Sequence, residues 1–416
     1  MKQRLTGSII ILIFLALLTA GVILYARGFQ LDFKKGLKTT GLLAATSSPA
    51  GASIFIDDRL TSATNDTISL EPGWYQIRLT KEGYLPWEKK MEIKKEIVSE
   101  TNAVLFPSNP SLSPLISTGA KSPSLSPDGT KLAYIIPYSR DTQQATRNTQ
   151  ETDYGVFIFA LNGHPLSFSK NPSQLFSYKI NPDEKVDLIW SPDASQLLLL
   201  NQNSAFLLDL SKKDQPALNV IGTLTDLLAS WQREKEEMER KKLMALPEAL
   251  VEFFSQSTKI IDWSADDSKI LYQATASAEI SEIIKPPLLA TNPTKETREV
   301  EAEKIYVYDR KEDKNYLITK QPNNQTTEEN EFSVNQLLSV APKALQWLPT
   351  SRHLILTEQN QISILEYDGI NKATIYAGPF AESFAAAWPD GSKLIILTTL
   401  NPAASTLPNL YSLSLR

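Results

Sequence analysis

Hydrophobic positions follow three patterns along the chain. From Leu5 to Ala26 no residue is charged, and the stretch includes SIIILIFLALLTAGVILY. A helix of that length would cross the ~30 Å hydrocarbon of a bilayer, so the pattern predicts a transmembrane helix. From Gly41 the apolar period shortens to two. Ser53 to Asp57 and Trp74 to Thr80 alternate in this way, which predicts strands with one buried face. Tyr75, Ile77 and Leu79 are assigned to the core, and Trp74, Gln76 and Arg78 to the opposite face. Glu71-Pro72-Gly73 between two such runs predicts a type II corner with the glycine at positive φ.

The third pattern is a repeat. Ser124-Leu125-Ser126-Pro127-Asp128-Gly129-Thr130-Lys131-Leu132 returns as Ile189-Trp190-Ser191-Pro192-Asp193-Ala194-Ser195-Gln196-Leu197. Three more copies begin near Asp262-Trp263, Gln346-Trp347 and Ala387-Trp388. Each copy reads as a strand ending in a large apolar residue, a Pro-Asp-Gly-like turn and a second, continuously apolar strand. A third strand follows at Phe157 to Phe159, Phe206 to Leu210, Lys304 to Asp309, Ile362 to Leu365 and Leu410 to Leu413. Such units predict β-propeller blades, five visible or six in all. Trp347 and Trp388 lie 41 residues apart, about one blade. Earlier spacings are longer, and polar stretches at 137–153, 276–303 and 321–331 read as long blade loops.

A different insertion spans 223–257. Thr225-Asp226 predicts a helix cap, Leu227, Leu228 and Trp231 share a face, and 233–242 is a dense charge run. Pro247 suits the first position of a second helix carrying Leu250, Val251, Phe253 and Phe254. The expected position of this pair is the side of the propeller. The expected fold class is therefore mainly β: a transmembrane anchor at 1–27, a stalk at 28–40, a small β-sandwich at 41–107, and a propeller at 108–416 with the helical insertion.

Composition narrows the function classes. A net charge of −5 offers no basic field to a phosphate backbone, so no nucleic acid partner is expected. The chain has no cysteine, which excludes disulfides, thiolate metal sites, a cysteine nucleophile and acylation of a cysteine. Poor cleavage contexts near Ala20 and Ala26 favour a retained anchor over a signal peptide. Positive charges at Lys2 and Arg4 face more at Arg27, Lys34, Lys35 and Lys38, the reverse of the usual bias. Long domains translocate largely regardless of that count, so the C-terminal domains are expected outside the cytoplasm.

Two family resemblances sharpen this. Ser48-Pro49-Ala50-Gly51-Ala52-Ser53-Ile54-Phe55-Ile56-Asp57, Leu70-Glu71-Pro72-Gly73-Trp74-Tyr75 and Lys81-Glu82-Gly83-Tyr84-Leu85-Pro86-Trp87 resemble the PEGA domain. Asp58 stands where that family usually has glycine. The repeat resembles the WD40-like propeller unit of TolB and of prolyl oligopeptidase propellers, with copies three and four lacking the proline or the glycine. The PEGA resemblance implies a non-catalytic cell-surface module.

No Gly-x-Ser-x-Gly elbow, Walker motif or dinucleotide glycine pattern occurs, and the two histidines, His164 and His353, make neither a metal set nor a catalytic triad. The recurrent Asp128, Asp193, Asp267 and Asp390 read as turn formers. Calcium at Asp309 to Asp313 is weakened by the interleaved Arg310 and Lys311. The expectation is a protein without enzymatic activity or cofactor, held in the membrane by residues 5–26, that binds an envelope protein or a cell-wall polysaccharide. Trp74 and Trp87 are its candidate ligand-facing residues; covering the sandwich edge or packing on the neighbouring domain is the plainer reading of both. The alternatives are a propeller-based carbohydrate-active enzyme and a structural spacer.

Overall fold

The computed structural model describes residues 2–26, 29–32, 36–138, 154–161, 172–212, 217–319, 344–400 and 407–416. His164 and most of the polar stretches 137–153 and 321–331 lie outside the described residues. The chain divides into two compact units, 1–108 with 284–296, and 109–283 with 297–416.

The first unit begins with helix α1, Lys2–Ala26, and a short antiparallel pair, Phe29–Asp32 with Gly36–Thr39. The side chains described in α1 are those of 11–23, and all are exposed. Among the described residues, no helix is long and apolar enough to cross a membrane.

A β-sandwich follows. One sheet has three strands, Asp66–Leu70, Gly41–Ser48 and Val98–Val104, the last two parallel. The other has four, in the order Arg59–Ala63, Ser53–Ile56, Gly73–Thr80 and Trp87–Ile93. Leu43, Ala45 and Ala103 of the first sheet meet Ile54, Ile77, Leu79, Trp87 and Met91 of the second in one core. Alternation sorts the residues as expected, with Ile77 and Leu79 buried and Trp74 exposed. Asp57 and Asp58 both take left-handed φ, of 47° and 63°, so aspartate supports the tight hairpin without glycine. The corner at Glu71-Pro72-Gly73 departs from expectation: Gly73 has no left-handed φ and opens its strand instead.

The second unit contains, among the described residues, five four-stranded antiparallel sheets. Sheet II is Lys121–Leu125, Lys131–Ile136, Gly155–Ala160 and Ser173–Phe176. Sheet III is Val186–Trp190, Gln196–Asn201, Ala205–Asp209 and Leu218–Asn219. Sheet IV is Thr258–Trp263, Lys269–Ala274, Ile305–Asp309 and Lys314–Thr319. Sheet V is Leu345–Trp347, His353–Glu358, Gln361–Glu366 and Ala373–Ala377. Sheet I joins the two ends of the unit. Its C-terminal strands Ala385–Ala387, Lys393–Thr398 and Asn409–Ser414 accept Leu112–Pro114 as the outermost strand, with Leu112 opposite Leu413.

All five repeat copies build the same turn. The backbone N–H of Gly129, Ala194, Asp267, Ser351 and Gly391 each donates to the carbonyl three residues earlier, at 2.8–3.0 Å. Each of these five residues has a left-handed φ between 52° and 68°. Glycine adopts that conformation freely; Ala194, Asp267 and Ser351 are held there by the surrounding hairpin. The turn therefore survives where the glycine is lost. One assignment changes: in the third copy the carboxylate that shapes the turn belongs to Asp266, not Asp267. Asp266 accepts from Ser264 Oγ at 2.9 Å and Ser268 Oγ at 2.6 Å, while Asp267 takes the glycine position.

These turn carboxylates have a pH signature. Burial, the largest single effect on Asp128, pulls its pKa upward, but bonds from Ser126, from the Thr130 N–H and hydroxyl, and the Lys131 charge together hold it at about 2. The same balance lowers Asp266 and Asp390, and hydrogen bonds led by Ser191 lower Asp193. A carboxylate whose folded pKa lies below its unfolded value of about 3.9 stabilises the fold above that value and loses the contribution as pH falls through the folded pKa. Urea unfolding midpoints should therefore drop between pH 4 and pH 2, and the drop should be smaller in the Asp128→Asn, Asp193→Asn double variant. Equal drops would show that the turns are not its source.

Sheet packing follows from strand alternation. Leu188, Trp190, Leu197 and Leu199 of sheet III pack on Ala133, Ile135 and Val156 of sheet II, and Trp190 Nε1 donates to Ser124 O at 3.1 Å. Tyr134 and Ile136 on the other face of sheet II meet Ala386, Ile395 and Leu397 of sheet I. Leu271 and Val307 of sheet IV meet Leu345, Trp347 and Leu354 of sheet V, and Gln346 Nε2 of sheet V donates to Ala385 O of sheet I at 2.6 Å.

Between sheets III and IV the partner is helical. Helix α2, Leu224–Met244, and helix α3, Glu248–Ser257, fall within the predicted insertion. Thr225 and Asp226 lie in the first turn of α2 and Thr223 is its N-cap residue, so the expected cap shifts; Pro247 likewise precedes α3 by one residue. Leu228 and Trp231 of α2 cover Ile189, Leu198 and Ala205 of sheet III. Leu250, Phe253 and Phe254 of α3, with Leu243 and Leu246, cover Ile270, Tyr272 and Tyr308 of sheet IV. The helices thus cover the faces of sheets III and IV opposite those that meet sheets II and V.

Candidate functional site

Two places concentrate side chains that could meet a ligand. The first is the outer face of the four-stranded sheet in the first unit. Trp74 is 52% exposed, opposite Glu92 on the neighbouring strand. Lys90 Nζ stands 5.5 Å from the centre of its ring. Arg78 lies over the Phe55 ring at 4.4 Å and pairs with Asp58 at 3.0 Å. These contacts follow from alternation and register, which set Gln76 opposite Lys90 and Arg78 opposite Glu88.

Trp87 does not join Trp74. It is 4% exposed and sits opposite Leu79, inside the sandwich core. Trp87 is the first residue of a strand, in phase with the buried Met91 and Ile93. Its ring is therefore packing, and the expectation of a ligand-facing Trp87 is corrected.

The second place was not legible in the sequence. Lys121 and Ser122 of sheet II, Asp187 of sheet III and Glu382, just before the first C-terminal strand of sheet I, come together from three sheets. Ser122 N–H donates to Glu382 Oε1 at 3.1 Å, and Ser122 Oγ to Val186 O at 2.6 Å. Lys121 Nζ donates to Pro182 O at 2.5 Å and to Glu184 O. Ser122, Glu382 and Ser383 all hold left-handed φ, near 50°, a conformation costing on the order of 1 kcal/mol for residues other than glycine. Burial raises the pKa of Glu382 against the Ser122 N–H and the Lys121 charge, and the Asp187 charge raises it further. Burial likewise raises Asp187 against Lys185. The one sequence signal was an acid inside the otherwise apolar strand Val186–Trp190; Glu382 gave none.

Other candidates are engaged in structure. Asp309 pairs with Lys269 at 3.4 Å, and Asp313 receives Tyr308 Oη at 2.8 Å, Ile283 N at 2.6 Å and Arg298 Nη1 at 3.3 Å. His353 is buried at the start of its strand in sheet V. Among the described residues, no three histidine, aspartate or glutamate side chains group as metal ligands.

Comparison with known proteins matches the PEGA domain model to residues 40–109, which bracket the sandwich. No curated protein matches the chain. Similar solved structures include TolB from Acinetobacter baumannii, at 11% identity and a TM-score of 0.23, covering 82% of this chain and 59% of that one. Putative TolB from Agrobacterium tumefaciens gives 12% identity, a TM-score of 0.18 and coverage of 74% and 73%. A mitotic checkpoint complex chain gives 12%, 0.30, 74% and 95%. This chain therefore spans 59% of the length of the Acinetobacter protein.

Proposed function

We propose that the chain is a non-enzymatic, membrane-anchored envelope protein in which the five sheets and the helical pair close into one propeller, and which binds a protein partner or a cell-surface polymer. The observation that carries the reading is the order of parts: an uncharged segment from Leu5 to Ala26 within helix α1, then the PEGA match at 40–109. In α1, Ile11, Leu12, Phe14, Leu15, Leu17 and Leu18 are exposed and find no cover among the described residues, and hydrocarbon would supply it. Closure is supported by the pairing of Leu112–Pro114 with Asn409–Ser414, which ties the start of the second unit to its end.

Binding is preferred to catalysis because the repeated turn carboxylates Asp128, Asp193, Asp266 and Asp390 are each engaged within their own separate hairpin. Apart from them, Asp187 and Glu382 share the three-sheet cluster, each with its pKa raised by burial. A carbohydrate-active enzyme is the second reading, because these two carboxyl groups do converge; polysaccharide turnover abolished by Asp187→Asn would establish it instead. For the principal reading, protease added to intact spheroplasts should remove the region after residue 27 and leave a protected fragment of about 3 kDa, a helix-sized remnant. Full protection until the membrane is lysed would place the domains on the other side and overturn it.

A further inference from the structure

The outer face around Trp74 carries a more specific reading, which rests on the polymer-binding half of the proposed function and names the chemistry of the polymer. Three side chains there have unused capacity. Trp74 presents an indole that is more than half exposed. Lys90, against that ring, forms no ion pair among the described residues. The carboxamide of Gln76, opposite Lys90, forms no hydrogen bond among them either. The neighbouring charges are already engaged: Arg78 with Asp58 at 3.0 Å and Glu88 at 3.8 Å, and Glu92 with Lys94 at 3.2 Å. Among the described residues, Lys90 is therefore the cation beside the ring without an ion pair, while the nearby Asp57 carboxylate accepts the Gln76 N–H at 2.9 Å.

The apolar surface is too broken for a protein interface. The other exposed large apolar side chain on this sheet is Leu60, two strands across and level with Arg78. That level is four residues, about 13 Å, along the strand from Trp74. Phe55 between them is covered by the Arg78 guanidinium. An isolated flat ring flanked by one free ammonium and one free amide suits a sugar ring bearing a carboxylate, whereas a protein hot spot needs contiguous apolar anchors.

We propose that this face binds an anionic polysaccharide, with Trp74 stacked on a sugar ring, Lys90 receiving the carboxylate and Gln76 bonding a hydroxyl. Calorimetric titration of the full chain in detergent micelles with a β-1,4-linked mannuronate hexamer and with β-1,4-mannohexaose tests this, because the two share linkage and ring and differ in the carboxylate. The mannuronate hexamer should bind at least about tenfold tighter than the neutral sugar. Trp74→Ala should weaken it about tenfold, with Trp74→Phe restoring most of the loss. Lys90→Gln should erase the preference between the two sugars, and Lys90→Arg should keep it. Since all three residues lie on the surface, unchanged thermal midpoints will confirm folding of the variants. No measurable binding of the mannuronate hexamer, equal binding of both sugars, or insensitivity to Trp74→Ala would each overturn the proposal. Such a failure would leave the proposed function standing if crosslinking in cells still captured an envelope protein on the second unit, and would remove both if it did not.

Discussion

Removing the last eight residues, 409–416, should abolish cooperative unfolding of the second unit. Asn409–Ser414 is bonded on both sides, to Lys393–Thr398 and to Leu112–Pro114, and it buries Leu410, Leu413 and the following Leu415 almost completely. Losing three buried leucines at about 2–5 kcal/mol each amounts to about 6–15 kcal/mol, comparable with the whole stability of a typical domain. The N-terminal strand Leu112–Pro114 would also lose its only neighbour in sheet I. Near-UV circular dichroism and limited proteolysis should then report an open second unit, while the sandwich, with its separate core, should remain resistant. The single variant Leu413→Ala should show the same direction at about 2–5 kcal/mol. A truncated chain that unfolds at the wild-type urea midpoint would refute the idea that this strand locks the ends together.

Replacing Phe254 by alanine should cost about 3–5 kcal/mol, the range for deleting a buried aromatic ring. Phe254 is buried on α3, with ring centroids 5.2 Å from Phe253 and 5.2 Å from Tyr272, both near-perpendicular, and 6.0 Å from Tyr308. It is thus the point at which the helical pair grips sheet IV. If the pair fills the place of a sheet, its loosening will be felt by the whole second unit as one lowered unfolding transition. Were the helices only a lateral decoration, Phe254→Ala would instead melt them separately, with a helical signal lost before the β signal. Urea titrations followed at 222 nm and by tryptophan fluorescence separate the two outcomes.

Much of the fold was legible because it depends on local chemistry. Alternation placed Ile77 and Leu79 inside and Trp74 outside, since a strand leaves only two faces. The repeated Ser-Pro-Asp-Gly text located five hairpins, and the third strands came from continuous apolar runs such as Phe206 to Leu210. In the third copy the text misled by one position, because Asp266 and Asp267 are the same residue type and only the left-handed φ of 52° identifies which of them replaces glycine. Trp87 differed for another reason: no strand pattern assigned it a face in the sequence, and only its pairing with the buried Leu79 places its ring in the core.

Sequence by itself determined the element types, the uncharged N-terminal segment, the sandwich followed by hairpin repeats, and the exposed Trp74, because each is set by side chains near one another along the chain. Only the tertiary structure decided which sheets adjoin, that residues 112–114 complete a sheet begun at Ala385, that the helical pair lies between sheets III and IV, and that Lys121, Asp187 and Glu382 converge. Those arrangements join residues up to about three hundred positions apart. They arise from burying opposite faces of the same strands at once, a constraint that no local pattern carries.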